Sequence, residues 1–259
     1  MAQTNRPSVL VPVDLSSEEQ PDPELLDLLE PASVVLGGWY PVPDQTPPEQ
    51  MREAHEAEAV ERIEALAAEF REAETPVETV VVFTRDRATT VDRLADDYDC
   101  GVVLVPGAVQ RVERVLVPIR AEVNLVAILS VVGVLLRDSE ATVTLLHAAE
   151  TDADSAAGEV MLRGAADELL DAGVDADRIE TVNRESDAPV DDIVDAAANH
   201  DVLVIGESEP SLIEKVIGDI PATIIDRTER PVLVVRKPSA DDDSTEGEDD
   251  AAESGEAGS

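Results

Sequence analysis

Two repeated α/β units with parallel sheets, the first truncated, are what this 259-residue chain is expected to form. The first observation is a repeat. Val115-Leu116-Val117-Pro118-Ile119 restates Val9-Leu10-Val11-Pro12-Val13, and in each copy a run of β-branched and aliphatic residues is broken by proline. Such a run reads as a strand buried on both faces, stopping where Pro removes a backbone donor. The second observation is that the sequel corresponds as well. Ala32-Ser33-Val34-Val35-Leu36 matches Ala141-Thr142-Val143-Thr144-Leu145, and Gly101-Val102-Val103-Leu104-Val105 resembles Asp201-Val202-Leu203-Val204-Ile205. The third is the alternation of these runs with helix-length segments, which implies Rossmann-like parallel sheets with right-handed crossovers.

In the first unit a strand is expected over residues 8–13, then a polar turn and a short helix over 23–30 that buries Leu25, Leu26, Leu28 and Leu29. A second strand spans 33–40, and Pro41, Pro43, Pro47 and Pro48 make an extended loop. The longest helix follows over 48–73, with Val60, Ile63, Leu66, Ala67 and Phe70 as its apolar stripe and Glu and Arg outside. A strand at 77–83, a helix at 88–98 and a strand ending at 105 complete what this unit has. Pro106-Gly107 leads almost at once into the second copy, so no final helix or fifth strand is expected there.

The second unit reads as complete. Strands are expected at 113–119, 141–148, 179–183, 201–206 and 231–236, with helices at 122–137, 155–172, 189–199 and 212–228. The first of these helices is apolar nearly all round from Val123 to Leu136, which calls for cover on both sides, between the halves or between subunits. It lacks the charged face of a membrane-surface helix, and the longest uncharged apolar run, 12 residues, is too short to span a bilayer.

Charge narrows the function classes. There are 58 acidic and 19 basic residues, a formal net of −39, and only Lys215 and Lys237 are lysines. Nucleic acid is excluded as a partner, because binding it needs Lys and Arg against phosphates and aromatic platforms, and aromatics are 2%. The acidic, lysine-poor pattern resembles that of a cytoplasmic protein of a salt-in halophile, since molar salt shortens the screening length to roughly 3 Å. From Ser239 onward nine acidic residues stand without Lys or Arg among Ser, Gly and Ala, so this tail is expected to be disordered. Without it the chain is still 30 charges negative. A single cysteine, Cys100, allows no intrachain disulfide, and three scattered histidines give no zinc spacing. With no signal segment at the N-terminus, a soluble cytoplasmic protein is expected.

In an open parallel sheet, ligands bind beyond the carboxyl ends of the strands where their order reverses. In the second unit this gathers Pro118, Ile119, Arg120, Ala148 and Gly206 with the loop that follows, and glycine there lets backbone approach a phosphate. With these residues in view, the chain resembles the universal stress protein family. The likeness rests on the opening Val-Leu-Val-Pro, Ala188-Pro189 before a helix, Asp201-Val202-Leu203-Val204-Ile205-Gly206, and the closing Arg230-Pro231-Val232-Leu233-Val234-Val235. It covers nearly all of the second half and, more loosely, the first through its fourth strand.

The resemblance implies a tandem member and a nucleotide loop of glycine, two residues, glycine, nine residues, then glycine with Ser or Thr. Gly206 takes the first position, but Glu209 stands at the second, eight residues precede Gly218, and Asp219 replaces the hydroxyl residue. The aspartate that closes the first strand in ATP-binding members is Arg120 here, whereas the first half keeps Pro12-Val13-Asp14 with Ser16 and has no loop to use them. Glu207, Glu209, Glu214 and Asp219 would surround a polyphosphate, against Lys215 and Arg120. A like-charge contact near 4 Å costs about 4 kcal/mol at moderate dielectric, while a helix N-terminus returns about 0.3–1 kcal/mol.

The expected organisation is thus a truncated unit at 1–111, a complete one at 112–238 and the acidic tail at 239–259. The expected function is non-catalytic: a stress-response or regulatory protein with a degenerate nucleotide site and no resident cofactor. No nucleophile, histidine and acid converge in sequence, and His147 and His200 read as structural. One alternative is a genuine ATP- or AMP-binding stress protein. Another is a soluble regulatory subunit of an amino-acid or ion transporter. The partners expected are the two halves of the chain with each other, with a homodimer or a membrane transporter as further options.

Overall fold

The computed structural model describes residues 6–17, 21–120, 124–207 and 220–237. The N-terminal half contributes β1 (Ser8–Asp14), α1 (Pro23–Leu28), β2 (Ser33–Pro41), α2 (Pro48–Glu72), β3 (Val77–Thr84), α3 (Arg87–Asp97) and β4 (Val102–Val105). The C-terminal half contributes β5 (Arg114–Pro118), α4 (Leu125–Leu136), β6 (Thr142–Ala149), α5 (Asp152–Asp171), β7 (Ile179–Glu185), α6 (Pro189–Ala197), β8 (Val202–Gly206), α7 (Ile220–Arg227) and β9 (Val232–Val235). One turn of 3₁₀ helix at Ala176–Arg178 precedes β7.

Among the described residues the nine strands join one sheet in the order β3-β2-β1-β4-β9-β8-β5-β6-β7. Every neighbouring pair is parallel except β4 with β9, which run antiparallel in the register Val102↔Val235 to Val105↔Val232. The repeat strands β1 and β5 sit inside the sheet, and Val9, Leu10, Val11, Leu116 and Val117 are fully buried. This is why their sequences are apolar without alternation. At the two edges, β3 and β7 carry exposed Glu78, Glu180, Thr181 and Glu185, side chains that discourage pairing with another chain.

Strand alternation sorts the core into two layers. Val9, Val11, Val34, Leu36, Val102, Leu104, Val115, Val117, Leu233 and Val235 face α1, α2, α4 and α5 in one core that runs unbroken through both halves. On the other face α3 covers Leu10, Val35 and Val103, while α6 and α7 cover Leu116, Leu146, Leu203 and Val232. The stripe of α2 runs through Ala59, Ile63, Leu66, Ala67 and Phe70; Val60, expected within it, is 44% exposed, one residue out of phase. The starts of α1, α3 and α5 carry side-chain caps. Asp86 accepts from the Thr89 N–H at α3, and Thr151 from the Asp154 N–H at α5.

The joint explains the missing parts of the first unit. β9 lies beside β4, where a fifth strand of the N-terminal half would run. Past its end the Arg236 N–H donates to the Gly101 carbonyl at 2.9 Å, and the Arg236 guanidinium reaches Asp96 at 2.7 Å. Gly107 passes so close to the Arg230–Pro231 backbone that a β-carbon would overlap it, and the Ala108 N–H donates to Glu229 O.

One expectation is refined: within this chain α4 does not lie between the halves but packs on β8 and β9 and against α5. Ile128, Leu129, Val131, Val132, Leu135 and Leu136 are buried, while Val126 is 74% exposed. Its start is tied down by Asn124, at φ 64°, whose Nδ2 donates to the carbonyls of Val235 and Arg236 at 3.0 and 3.2 Å. Among the described residues no helix is long and apolar enough to cross a membrane. The acidic tail from Ser239 and most of the loop after Gly206, including Glu209, Gly218 and Asp219, lie outside the described residues.

Candidate functional site

The two halves present the same rim, where carboxyl ends of neighbouring strands meet and strand order reverses. Register makes the positions equivalent one by one. Val9 pairs with Val34 and Val102, and Val115 with Val143 and Val202. Counting onward, Pro12 corresponds to Pro118, Asp14 to Arg120, Trp39 to Ala148 and Pro106 to Gly206. Arg87 and Pro189 correspond as the first residues of α3 and α6.

In the C-terminal half, Pro118, Ile119, Arg120, Ala148 and Gly206 do gather at the ends of the adjacent strands β5, β6 and β8. Ile119 and Ala148 are buried. The Arg120 guanidinium faces Glu150 at 3.9 Å. On the α4 side Gly206 is covered: a β-carbon there would stand 2.8 Å from Ile128 Cδ1. The next residue, Glu207, is 4% exposed, and its Oε2 accepts from the Lys237 N–H at 3.2 Å. A buried carboxylate thus stands at the first position beyond β8. Gly218 and Asp219 fall outside the described residues, so their placement at this rim is an expectation only.

Both histidines of this half are built into the framework. His147 is 1% exposed; its Nδ1–H donates to the Ile119 carbonyl at 2.8 Å, and Nε2 faces Asp154 Oδ1 at 3.4 Å. The ring lies against Gly158, where any side chain would overlap it. His200 bridges Ala196 O and Thr144 Oγ1 at 2.8 and 3.0 Å. Among the described residues no three His, Cys, Asp or Glu side chains converge as a metal site would require.

In the N-terminal half the equivalent rim is open. A cavity of about 550 Å³ lies over Pro12 and Asp14, bounded by Trp39 and Arg87 on one side and Pro106, Gly107 and Ala108 on the other. The Arg87 guanidinium stands over the Trp39 ring, 5.5 Å from its centroid. Asp14 Oδ1 accepts from the Ser16 N–H and hydroxyl at 2.9 and 2.7 Å, which fixes the turn after β1. Arg62 of α2 donates to the carbonyls of Leu15 and Ser17 and holds that turn from below.

On the opposite face, Tyr40 stacks on His55 at 4.7 Å and tilts against Phe83 at 5.4 Å, with Arg52 over Phe83. Three of the five aromatic residues, Trp39, Tyr40 and Phe83, therefore end neighbouring strands at this rim. Asp14, for which the sequence offers no loop, lines this cavity. Sequence reasoning missed that the short connection after β4 leaves a cavity instead of nothing. A Trp-Tyr pair closing a strand in a chain with 2% aromatics was the available signal.

Residues 111–236 match the universal stress protein family. A universal stress protein from Archaeoglobus fulgidus DSM 4304 superposes with a TM-score of 0.63 at 15% identity, over 91% of this chain and 97% of that one. A functionally unknown protein from Pseudomonas aeruginosa PAO1 gives 0.52 at 17% identity, over 91% and 94%. The cytoplasmic domain of a prokaryotic cation chloride cotransporter gives 0.51 at 14%, over 88% and 95%. At these identities the structures establish the shared fold. No curated protein matches the chain.

Proposed function

We propose, from the match of residues 111–236 to the universal stress protein family, that this chain is a non-catalytic regulatory protein of that family with a degenerate C-terminal nucleotide site. In this reading the two units span 1–111 and 112–238 and pack as a pseudo-dimer, 239–259 is an acidic tail, and the protein works in the cytoplasm.

The observation that carries the reading is the state of the C-terminal rim. Arg120 stands where the N-terminal half has Asp14, and it is turned toward Glu150. The buried carboxylate of Glu207 follows β8. A triphosphate brought here would meet that carboxylate and, from the sequence, those of Glu209 and Asp219. At moderate dielectric each like-charge contact near 4 Å costs about 4 kcal/mol, more than the helix N-terminus returns.

Calorimetry with Mg-ATP in molar KCl tests this, on the native chain and on a Glu209→Gly, Asp219→Ser double variant. The expected result is no measurable heat for the first and weak binding for the second. Micromolar binding by the native chain at the C-terminal rim, abolished by a side chain at Gly206, would make it a nucleotide-binding stress protein instead.

A second reading draws on the fold shared with the cotransporter's cytoplasmic domain. In it the chain is a soluble regulatory subunit of a transporter, and co-purification with a permease from membranes is the discriminating result.

A further inference from the structure

We propose that the N-terminal cavity binds a small planar aromatic carboxylate, its ring along Trp39 and its acid group at Arg87. The reading of the C-terminal rim is not needed for this, and the two stand or fall separately. A volume of about 550 Å³ lies in the range typical of small-molecule sites, roughly 300–1,000 Å³. Trp39 and Pro12 give it apolar walls, and Gly107 is pinned to the Arg230–Pro231 backbone, so the far wall is rigid.

The charge at its mouth is Arg87. Acidic residues outnumber basic ones by 58 to 19, yet among the described residues the Arg87 guanidinium makes no ion pair with a carboxylate. It stays over the indole instead, 5.5 Å from the ring centroid. A guanidinium held this way offers a planar fork to a carboxylate. A ring beside it would stack on the same aromatic surface. Asp14 uses Oδ1 for its own turn, which leaves Oδ2 to accept from a ligand hydroxyl.

The far wall excludes a polyphosphate. Phosphate cradles need several free backbone N–H groups. Here Pro106 has none and the Ala108 N–H is bonded to Glu229 O, so only Gly107 remains on this side. A single acid group, satisfied by Arg87, is what the site can neutralise. The equivalent C-terminal positions are Ala148 and Pro189, with neither ring nor cation, so the site belongs to the N-terminal half alone.

Trp39 is the chain's one tryptophan, so its fluorescence reports this cavity directly. The experiment titrates the full chain in molar KCl with para-hydroxybenzoate, with para-hydroxybenzyl alcohol and AMP as comparators, and repeats the titration by calorimetry. The expected result is a saturable change with para-hydroxybenzoate, affinity lower by about tenfold for the neutral alcohol, and a similar loss in Arg87→Gln. Arg87→Lys should keep part of the affinity, and circular dichroism should show both variants folded as the parent is. No saturable change, equal binding of the alcohol, unchanged binding by Arg87→Gln, or tighter binding of AMP would each overturn the assignment.

Discussion

At the scale of single residues, glycines separate positions where the fold needs empty space from positions where it does not. Gly107 meets backbone, which cannot rotate away, so Gly107→Ala must push the inter-unit connection off Arg230 and Pro231. Overpacking of this kind typically costs about 1–3 kcal/mol. Gly164, by contrast, sits inside α5 with nothing within 4 Å of a β-carbon, and glycine there is an entropic weakness. Gly164→Ala should therefore raise stability by about 0.5–1 kcal/mol. Chemical denaturation of the two variants in molar KCl checks both signs, and a neutral Gly107→Ala would mean that the joint is looser than described.

The element that decides how the halves depend on each other is β9. It is the last strand of the C-terminal half and also the neighbour that satisfies β4. A fragment ending near residue 111 would leave β4 as an open edge with Val102, Val103 and Leu104, all buried in the whole chain, on its surface. The expected outcome is that residues 1–111 alone show no cooperative thermal transition, and that limited proteolysis of the whole chain releases no stable halves. Recovery of two independently folded pieces would remove the pseudo-dimer. The strands and helices themselves were largely legible in sequence, since β1, β5 and β8 are aliphatic runs marked at or near their ends by Pro, Gly or Asp, although β1 continues through Pro12 to Asp14. The α4 environment was not, because an all-apolar helix says that it is covered without saying by what.

At the scale of the whole molecule, charge sets the conditions for folding. A formal net of −39 repels itself strongly when the screening length is about 10 Å, as in 0.1 M salt, and little when it is about 3 Å, as in 1 M. The thermal midpoint should rise steeply between those salt concentrations. Cys100 offers a second readout. Burial raises its thiol pKa, with the Ser8 hydroxyl opposing, so the reactive thiolate is suppressed in the folded protein. Its labelling by a thiol reagent at neutral pH should be slow in molar KCl and fast in dilute buffer. The sign for stability follows: a raised thiol pKa favours folding below the unfolded value and is lost as pH rises through the folded one. Equal midpoints and equal labelling rates in both salts would show that self-repulsion is not what limits the fold.

The amino-acid sequence carries the internal likeness of its halves, the order of the elements and the parallel α/β class, because each is written in local patterns of burial and breakers. It also placed Pro118, Ile119, Arg120, Ala148 and Gly206 at one rim, since strand ends in such sheets converge by topology. The cavity of the N-terminal rim, by contrast, is visible only in three dimensions. Trp39 and Arg87 are 48 positions apart and Gly107 lies beyond both; their convergence on one cavity depends on sheet order and on a strand borrowed from the other half. Nothing local in the chain records that β9 would close against β4, because an antiparallel pairing over 130 residues is specified by what is left unpaired when everything else has folded.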